Sequence, residues 1–328
     1  MKKKITVVTG AGGFIGGHLV ADLLREGLSV RAVDIKPFPE WYQLHSDAQN
    51  IIHDLSRLHD CELTLQDAGM VYNLSADMGG MGFIEKHKAL CMLSVLINTH
   101  LLKAAQMHGV ERFFFASSAC VYNALKQKDA NVVALKEEDA YPAMPEAGYG
   151  WEKLFSEFMC QHFREDFGIE TRVARFHNVY GPHGTFEGER AKAPAAICRK
   201  VAEAVLTGGK EIEIWGDGTQ TRSFMWIDDC IHGIKVIANG DHFHPINLGS
   251  SELVSVNQLV SLVEQIAGVT LERKYILDAP KGVQGRNSDN TLIKERFDWE
   301  PNTSLKVGMR KTYAWIFEQL QKRNQISR

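Results

Sequence analysis

Tyr149 and Lys153 stand four positions apart in YGWEK, a spacing that puts a phenol and an ammonium on one face of a helix, one turn apart. A free phenol ionises near pH ~10, and a cation held beside it favours the phenolate, so the pair can take a hydroxyl proton while hydride leaves the same carbon. Alone, the motif is weak. Its place in the chain strengthens it, because it follows an apolar run ending in ASSAC, where Ser117 and Ser118 supply hydroxyls at the edge where open parallel sheets bind ligands.

Gly10, Gly13 and Gly16 form GxxGxxG directly after the β-branched run KITVVT and ahead of a stretch with Ile15, Leu19, Leu23 and Leu24 at helical spacing. Strand, turn and helix in that order define a dinucleotide site. The glycines allow a tight turn and close backbone approach to a pyrophosphate, and the helix beginning at Phe14 and Ile15 presents free N–H groups to it. Asp34 closes the next strand 18 positions after Gly16, where a carboxylate accepts both ribose hydroxyls and repels a 2′-phosphate. NAD is therefore expected over NADP, a preference that the neighbouring Lys36 weakens. Asp54, after the third strand, is assigned to the adenine edge. A glycine-rich turn and a surface strand-end Asp are the ordinary structural readings of these residues.

Short apolar runs at 29–34, 51–53, 70–74, 112–116 and 171–176 alternate with helical stretches at 57–67, 88–108 and 150–167. Such alternation predicts an α/β fold, a Rossmann-type doubly wound parallel sheet covered on both faces. Beyond residue 177 the pattern loosens into Gly, Pro and charged residues, which predicts a NAD-binding domain over 1–177 and a smaller C-terminal substrate-binding lobe over 178–328. The strand-like PINLGS at 245–250 is expected to return to the first domain, and 305–321 to form an amphipathic helix. The composition is that of an ordinary globular chain, with 45% hydrophobic and 23% charged residues among 328. With 37 basic against 40 acidic residues and a net charge of -3, no general field attracts nucleic acid or an anionic membrane, so any anionic ligand must be held locally. Six cysteines are scattered singly without CxxC, against a zinc site or disulfide framework. The apolar run at the N-terminus stops at Gly10, too short for a signal or a span, and a cytoplasmic protein is expected.

Together these residues resemble the extended short-chain dehydrogenase/reductase superfamily. The longer strings LSADMGGMGFIE (74–85), ASSACVY (116–122), ARFHNVYGPHGT (174–185), AKAPAAICRK (191–200), IWGDGTQTRSF (214–224) and GRNSDNTLIKE (285–295) resemble the GDP-mannose 3,5-epimerase family. The resemblance implies a GDP-sugar substrate, GDP-L-galactose and GDP-L-gulose as products, tightly bound NAD recycled each turnover, and a homodimer. It also implies Cys120 as base and Lys192 as acid, Ser118 with Tyr149 and Lys153 at the C4 hydroxyl, and His177 beside the reacting sugar. Gly79, Ser117, Asn178, Lys200, Gln220, Arg222 and Arg286 match substrate-contact positions, and a guanidinium fork suits phosphate oxygens. Oxidation at C4 makes the hydrogens at C3 and C5 both α to a ketone, so one oxidation serves two inversions. Asn123 replaces the family's usual proline, and the segment at 206–210 is longer than in plant members.

Two other enzymes share the cofactor and YxxxK. A 4,6-dehydratase of this superfamily carries an Asp-Glu pair where this chain has Ala119 and Cys120, and a plain 4-epimerase has no use for Cys120 and Lys192. A non-catalytic NAD-binding regulator is the alternative from another class; retention of Tyr149, Lys153 and Ser118 argues against it.

Overall fold

The computed structural model describes residues 4–146, 148–279 and 282–326. The chain runs through β1 (Ile5–Thr9), α1 (Phe14–Arg25), β2 (Val30–Asp34), β3 (Gln49–Ile52), α2 (Leu58–Leu65), β4 (Ala68–Asn73), α3 (Met81–Lys86), α4 (Lys88–Met107), β5 (Arg112–Ser118), α5 (Tyr149–Phe167) and β6 (Glu170–Phe176). It continues through β7 (Asn178–Tyr180), α6 (Ala193–Thr207), β8 (Glu211–Trp215), β9 (Thr221–Trp226), α7 (Ile227–Asn239) and β10 (Ile246–Leu248). The last elements are β11 (Leu253–Ser255), α8 (Val256–Ala267), β12 (Glu272–Ile276), β13 (Gly285–Arg286), α9 (Thr291–Phe297) and α10 (Leu305–Ile326).

The main sheet among the described residues has seven strands in the order β10-β6-β5-β4-β1-β2-β3, every neighbouring pair parallel. The chain builds outward from β1 to β3, then returns to β4 on the other side of β1 and builds the opposite way. That reversal opens a crevice at the C-terminal ends of β1 and β4, where doubly wound sheets bind nucleotides. Because both faces are covered, the strands are apolar almost throughout. In β5, Phe113 and Phe115 point into one core with Val71, Leu101 and Leu102, while Phe114 points into the other with Leu19, Ile231 and Ile234.

β10 pairs with β6 as the seventh strand, and α7 packs on α1 and β6, so residues late in the chain complete the nucleotide-binding layer. The remaining elements form a smaller body. There β9 pairs with β7, β11 and β13, β8 pairs with β12, and α6 packs against α8 and α10. Most element bounds differ from the sequence reading by a residue or two, as where β5 extends through Ser118 and α5 begins at Tyr149 itself; the C-terminal helix, expected over 305–321, runs on to Ile326. Among the described residues one helix, Lys88–His108, is long and apolar enough to cross a membrane by length and composition; here it packs on α2 and α5.

Candidate functional site

The first half of the site is the β1–α1 turn. Gly10 adopts φ +70°, and a Cβ on Gly16 would lie 2.1 Å from the Gly10 carbonyl oxygen. Only glycine permits that approach, which brings the start of α1 and its free N–H groups onto the end of the sheet. Gly13 caps α1 without a side-chain bond. Phe14 packs beneath Gly184, and Ile15 joins the core between α1 and the smaller body. Asp34 Oδ2 accepts from the Gly12 N–H at 3.0 Å and Oδ1 from the Lys36 N–H at 3.0 Å. Its carboxylate is therefore locked at the rim of the crevice. The Lys36 ammonium does not compete for this place: it donates to the Gly12 carbonyl at 2.6 Å and lies 4.7 Å from the Tyr42 ring centroid. Trp41 covers Gly12, its indole donating to the Lys36 carbonyl at 2.8 Å, a contact with no pattern in the sequence to announce it. Asp54 sits past the end of β3, accepting from the Ser56 hydroxyl at 2.6 Å, a bond that lowers its pKa. A tight glycine turn, free helix N–H groups and a fixed strand-end carboxylate fit a dinucleotide.

The second half lies where β5 ends. A Cβ on Gly150 would lie 2.3 Å from the Cys120 carbonyl oxygen, so glycine there lets α5 close against the strand end and carries Tyr149 to Cys120. Both are buried in one small apolar cluster with Phe83, Ile84 and Cys91. Desolvation raises the Tyr149 phenol well above its usual value; the neighbouring Cys120 sulfur and Glu152 carboxylate act in the same direction, and a hydrogen bond with Ser118 opposes them. The Lys153 ammonium is buried over the Phe115 ring, 4.7 Å from its centroid, and 3.7 Å from Glu152 Oε2. Glu152 is a buried carboxylate of this site that sequence reading missed.

Strand alternation separates the two serines. Ser118 faces Tyr149, and its hydroxyl also accepts the Cys120 N–H at 3.2 Å. Ser117 is turned the other way: its hydroxyl donates to Glu157, which also takes a two-pronged ion pair from Arg175 at 3.0 and 2.8 Å. The Ser117 side chain is therefore part of the packing behind the site.

Lys192 caps the N-terminus of α6. Loss of solvent lowers its ammonium pKa, and the sulfurs of Cys120 and Cys230 oppose the shift. The loop before it is latched across the cleft, for Arg190 donates to the Met78 carbonyl at 2.6 Å and to Asp77 at 2.7 Å. Gly79 is buried beneath Arg190 and Phe83. On β9, Arg222 is near enough to Cys120 for the sulfur to offset the lowering that burial causes, and it donates to the Thr221 carbonyl at 2.7 Å. Gln220 is buried, with Nε2 on the Trp215 carbonyl at 2.8 Å and Oε1 unpartnered. Asn178 reaches the Ser223 carbonyl at 3.5 Å. Lys200 lies two turns along α6, donating to the Glu213 carbonyl at 2.7 Å, apart from the Cys120 cluster.

Arg286 and His177, like Ser117 and Lys200, stand otherwise than the sequence suggests. Arg286 touches Cys120 itself, Nη1 3.7 Å from Sγ, and pairs with Glu146, a residue that no motif singled out. His177 is 3% exposed, with Nε2 3.1 Å from Asn247 Oδ1 and Nδ1 unpartnered. Burial pushes its pKa down to about 4, so the imidazole is neutral. Asn247, on β10, also accepts from the Tyr122 hydroxyl; a contact made across such sequence distance leaves no local signal.

The fold and these two half-sites define a nucleotide-binding α/β protein in which a buried Tyr-Lys pair meets a cysteine at the end of a parallel sheet. Residues 6–249 match the NAD dependent epimerase/dehydratase family, and the chain belongs to it. It is 45% identical over 317 residues to a GDP-mannose 3,5-epimerase of Arabidopsis thaliana, covering 96% of this chain and 82% of that one. Identity is 46% over 316 residues to GDP-mannose 3,5-epimerase 1 of Oryza sativa subsp. japonica, with the same coverage. Among solved structures, the UDP-glucose 4-epimerase of Thermotoga maritima with UDP-glucose superposes with a TM-score of 0.86 at 25% identity, covering 96% of this chain and 99% of that one. The UDP-glucuronic acid 4-epimerase of Bacillus cereus, in complex with UDP-glucuronic acid and NAD, gives 0.81 at 27% identity with the same coverage.

Proposed function

We propose that this chain is an NAD-dependent isomerase that epimerises GDP-D-mannose at C3 and C5 to GDP-L-galactose, with GDP-L-gulose from single inversion. The observation that carries this reading is the burial of Cys120 and Tyr149 in one cluster, with Arg286 against the Cys120 sulfur and Lys192 within electrostatic reach of it. The curated relatives named above support the substrate.

The Gly10–Gly16 turn and Asp34 would hold NAD, which would supply a reversible hydride acceptor for C4 of the sugar. Tyr149 Oη receives the C4 hydroxyl proton, and Ser118 steadies the same oxygen. Lys153 supplies the positive charge that offsets the phenolate against the desolvation opposing it. With C4 a ketone, Cys120 Sγ takes a proton from the α carbon on one side of the ring, and Lys192 Nζ delivers one from the other. Partial desolvation makes the Lys192 ammonium a better acid than a solvated lysine. Phe83 and Ile84 keep water from the enolate. Arg222 and Arg286 counter negative charge on the ligand, with Gly79, Asn178, Lys200 and Gln220 as further substrate contacts and His177 as a neutral imidazole behind them.

In this reading residues 1–177, joined by β10, hold the cofactor, and 178–328 chiefly hold the GDP-sugar. The enzyme acts as a homodimer through α4 and α5, two helices that pack on one another and expose Leu90, Met92, Leu93, Trp151, Phe155 and Phe158, large apolar side chains of the kind that mark an interface. Six unpaired cysteines suit the reducing cytoplasm.

The test is incubation with GDP-mannose in deuterated water, followed by NMR of the sugar. Deuterium at C3 and C5 without net NADH supports the reading; label absent from both carbons, or loss of the C6 hydroxyl, overturns it. Cys120→Ala and Lys192→Ala should abolish epimerisation while NAD still binds, and full activity in either removes its assigned role.

A further inference from the structure

The Cys120 thiol stands between a carboxylate and a guanidinium. Its Sγ donates to Glu146 Oε2 at 3.7 Å and accepts from Arg286 Nη1 at 3.7 Å. Arg286 Nη2 closes the triangle on Glu146 Oε1, and its Nε donates to Gln127 Oε1 at 2.7 Å. The Arg286 and Glu146 side chains are 8% and 11% exposed, so little water screens them from the sulfur. The backbone ties the same positions together, for the Glu146 N–H donates to the Cys120 carbonyl at 3.0 Å.

We propose that Glu146 is a positioning residue for Cys120: it holds the sulfur as a hydrogen-bonded thiol, keeps Arg286 against it, and so sets the pH at which residue 120 becomes a base. The catalytic half of this proposal rests on the Cys120 role given above; the electrostatic half does not.

The groups around the sulfur make the sign unambiguous. On its own element, the Ser118 hydroxyl is neutral and binds the residue 120 N–H. Tyr149 on α5 and Cys91 on α4 interact with it but are protonated, since burial raises both. Arg286 on β13 and Arg222 on β9 are cationic and favour the thiolate; Lys192 before α6 acts in the same direction in its ammonium form, which burial disfavours. Glu146 is the anion that hydrogen-bonds to Sγ. It opposes ionisation directly, and it neutralises Arg286, so both effects hold the proton on sulfur. Glu146→Gln keeps the shape and removes the charge; the thiol pKa must then fall.

The experiment is a pH titration of thiolate ultraviolet absorbance on the NAD-bound enzyme, with Cys120→Ser subtracted from each protein. Glu146→Gln is expected to move the Cys120 transition down by at least ~1 pH unit, tenfold or more in the ionisation constant, and Arg286→Gln to move it up, since the carboxylate then faces sulfur alone. The rising limb of kcat/KM against pH for GDP-mannose should shift down with Glu146→Gln by the same amount. An unmoved or raised transition in Glu146→Gln overturns the proposal, as does a lowered one in Arg286→Gln, which serves even if the first variant does not fold. A thiol shift of the expected sign without any epimerase activity in the wild type would instead sink the functional reading and leave the electrostatic one standing.

Discussion

The Lys153 ammonium lies 5.5 Å from the centroid of the Tyr149 ring, one turn along α5, and both side chains are buried. In so dry a place the phenol keeps its proton unless a partner offsets the charge. Tyr149→Phe should therefore lower kcat on the order of a hundred- to ten-thousand-fold, the range for loss of a positioned acid–base group, with NAD still bound. Mixing the variant with GDP-mannose in deuterated water should give no label at C3 or C5. Labelling at the wild-type rate would show that proton exchange does not wait for oxidation.

Asp34 holds its carboxylate at the rim through two backbone N–H groups, one of them from the glycine turn. Asp34→Asn removes the charge that repels a 2′-phosphate and weakens acceptance of the ribose hydroxyls. Hydrogen bonds to a charged group contribute about 1.5–3 kcal/mol, so NAD affinity should fall on the order of tenfold or more while discrimination against NADP narrows. Calorimetric titration of cofactor-stripped protein with each dinucleotide reads both, and an unchanged NAD/NADP ratio would exclude Asp34 as the discriminating group.

His177 is buried neutral, its pKa pressed down to about 4 from 6.5. Between those values the unfolded chain binds more protons than the folded one, so this residue's contribution to stability rises with pH across the window and is lost as pH falls from 6.5 toward 4. At about 1.4 kcal/mol per pH unit the loss reaches about 3 kcal/mol. Urea unfolding at neutral pH and near pH 4 should show His177→Gln losing less stability than the wild type by roughly that amount. Equal losses in the two proteins would mean that the imidazole is not held neutral.

Trp151 and Phe155 project from one face of α5, 48% and 52% exposed. Replacing both with Glu should yield a monomer by light scattering if α4 and α5 form the dimer contact, because charges are excluded from the core of such an interface. A dimer of unchanged mass would move the contact elsewhere.

How much of this was visible beforehand differs by element. The glycine turn, Asp34 and the Tyr149–Lys153 pair announce themselves because each depends on local spacing: a loop of fixed length, a strand end, one helical turn. The roles proposed for Cys120 and Lys192 come only from likeness to known enzymes, since a single cysteine and a single lysine have no spacing to read. Ser117 and Ser118 look equivalent in sequence, and only strand alternation against α5 turns one to the site and the other to Glu157.

The order of strands and helices, the crevice beside β1 and the reactive pair on α5 were determined by the sequence itself, because periodicity and glycine placement act over a few neighbouring residues. Tertiary structure alone decided what surrounds the sulfur of Cys120. Glu146 is 26 positions away and Arg286 is 166, and His177 meets Asn247 across 70. Charges interact through space and not along the chain, so an ionisation that depends on them exists only once β13, α5 and β5 have packed together.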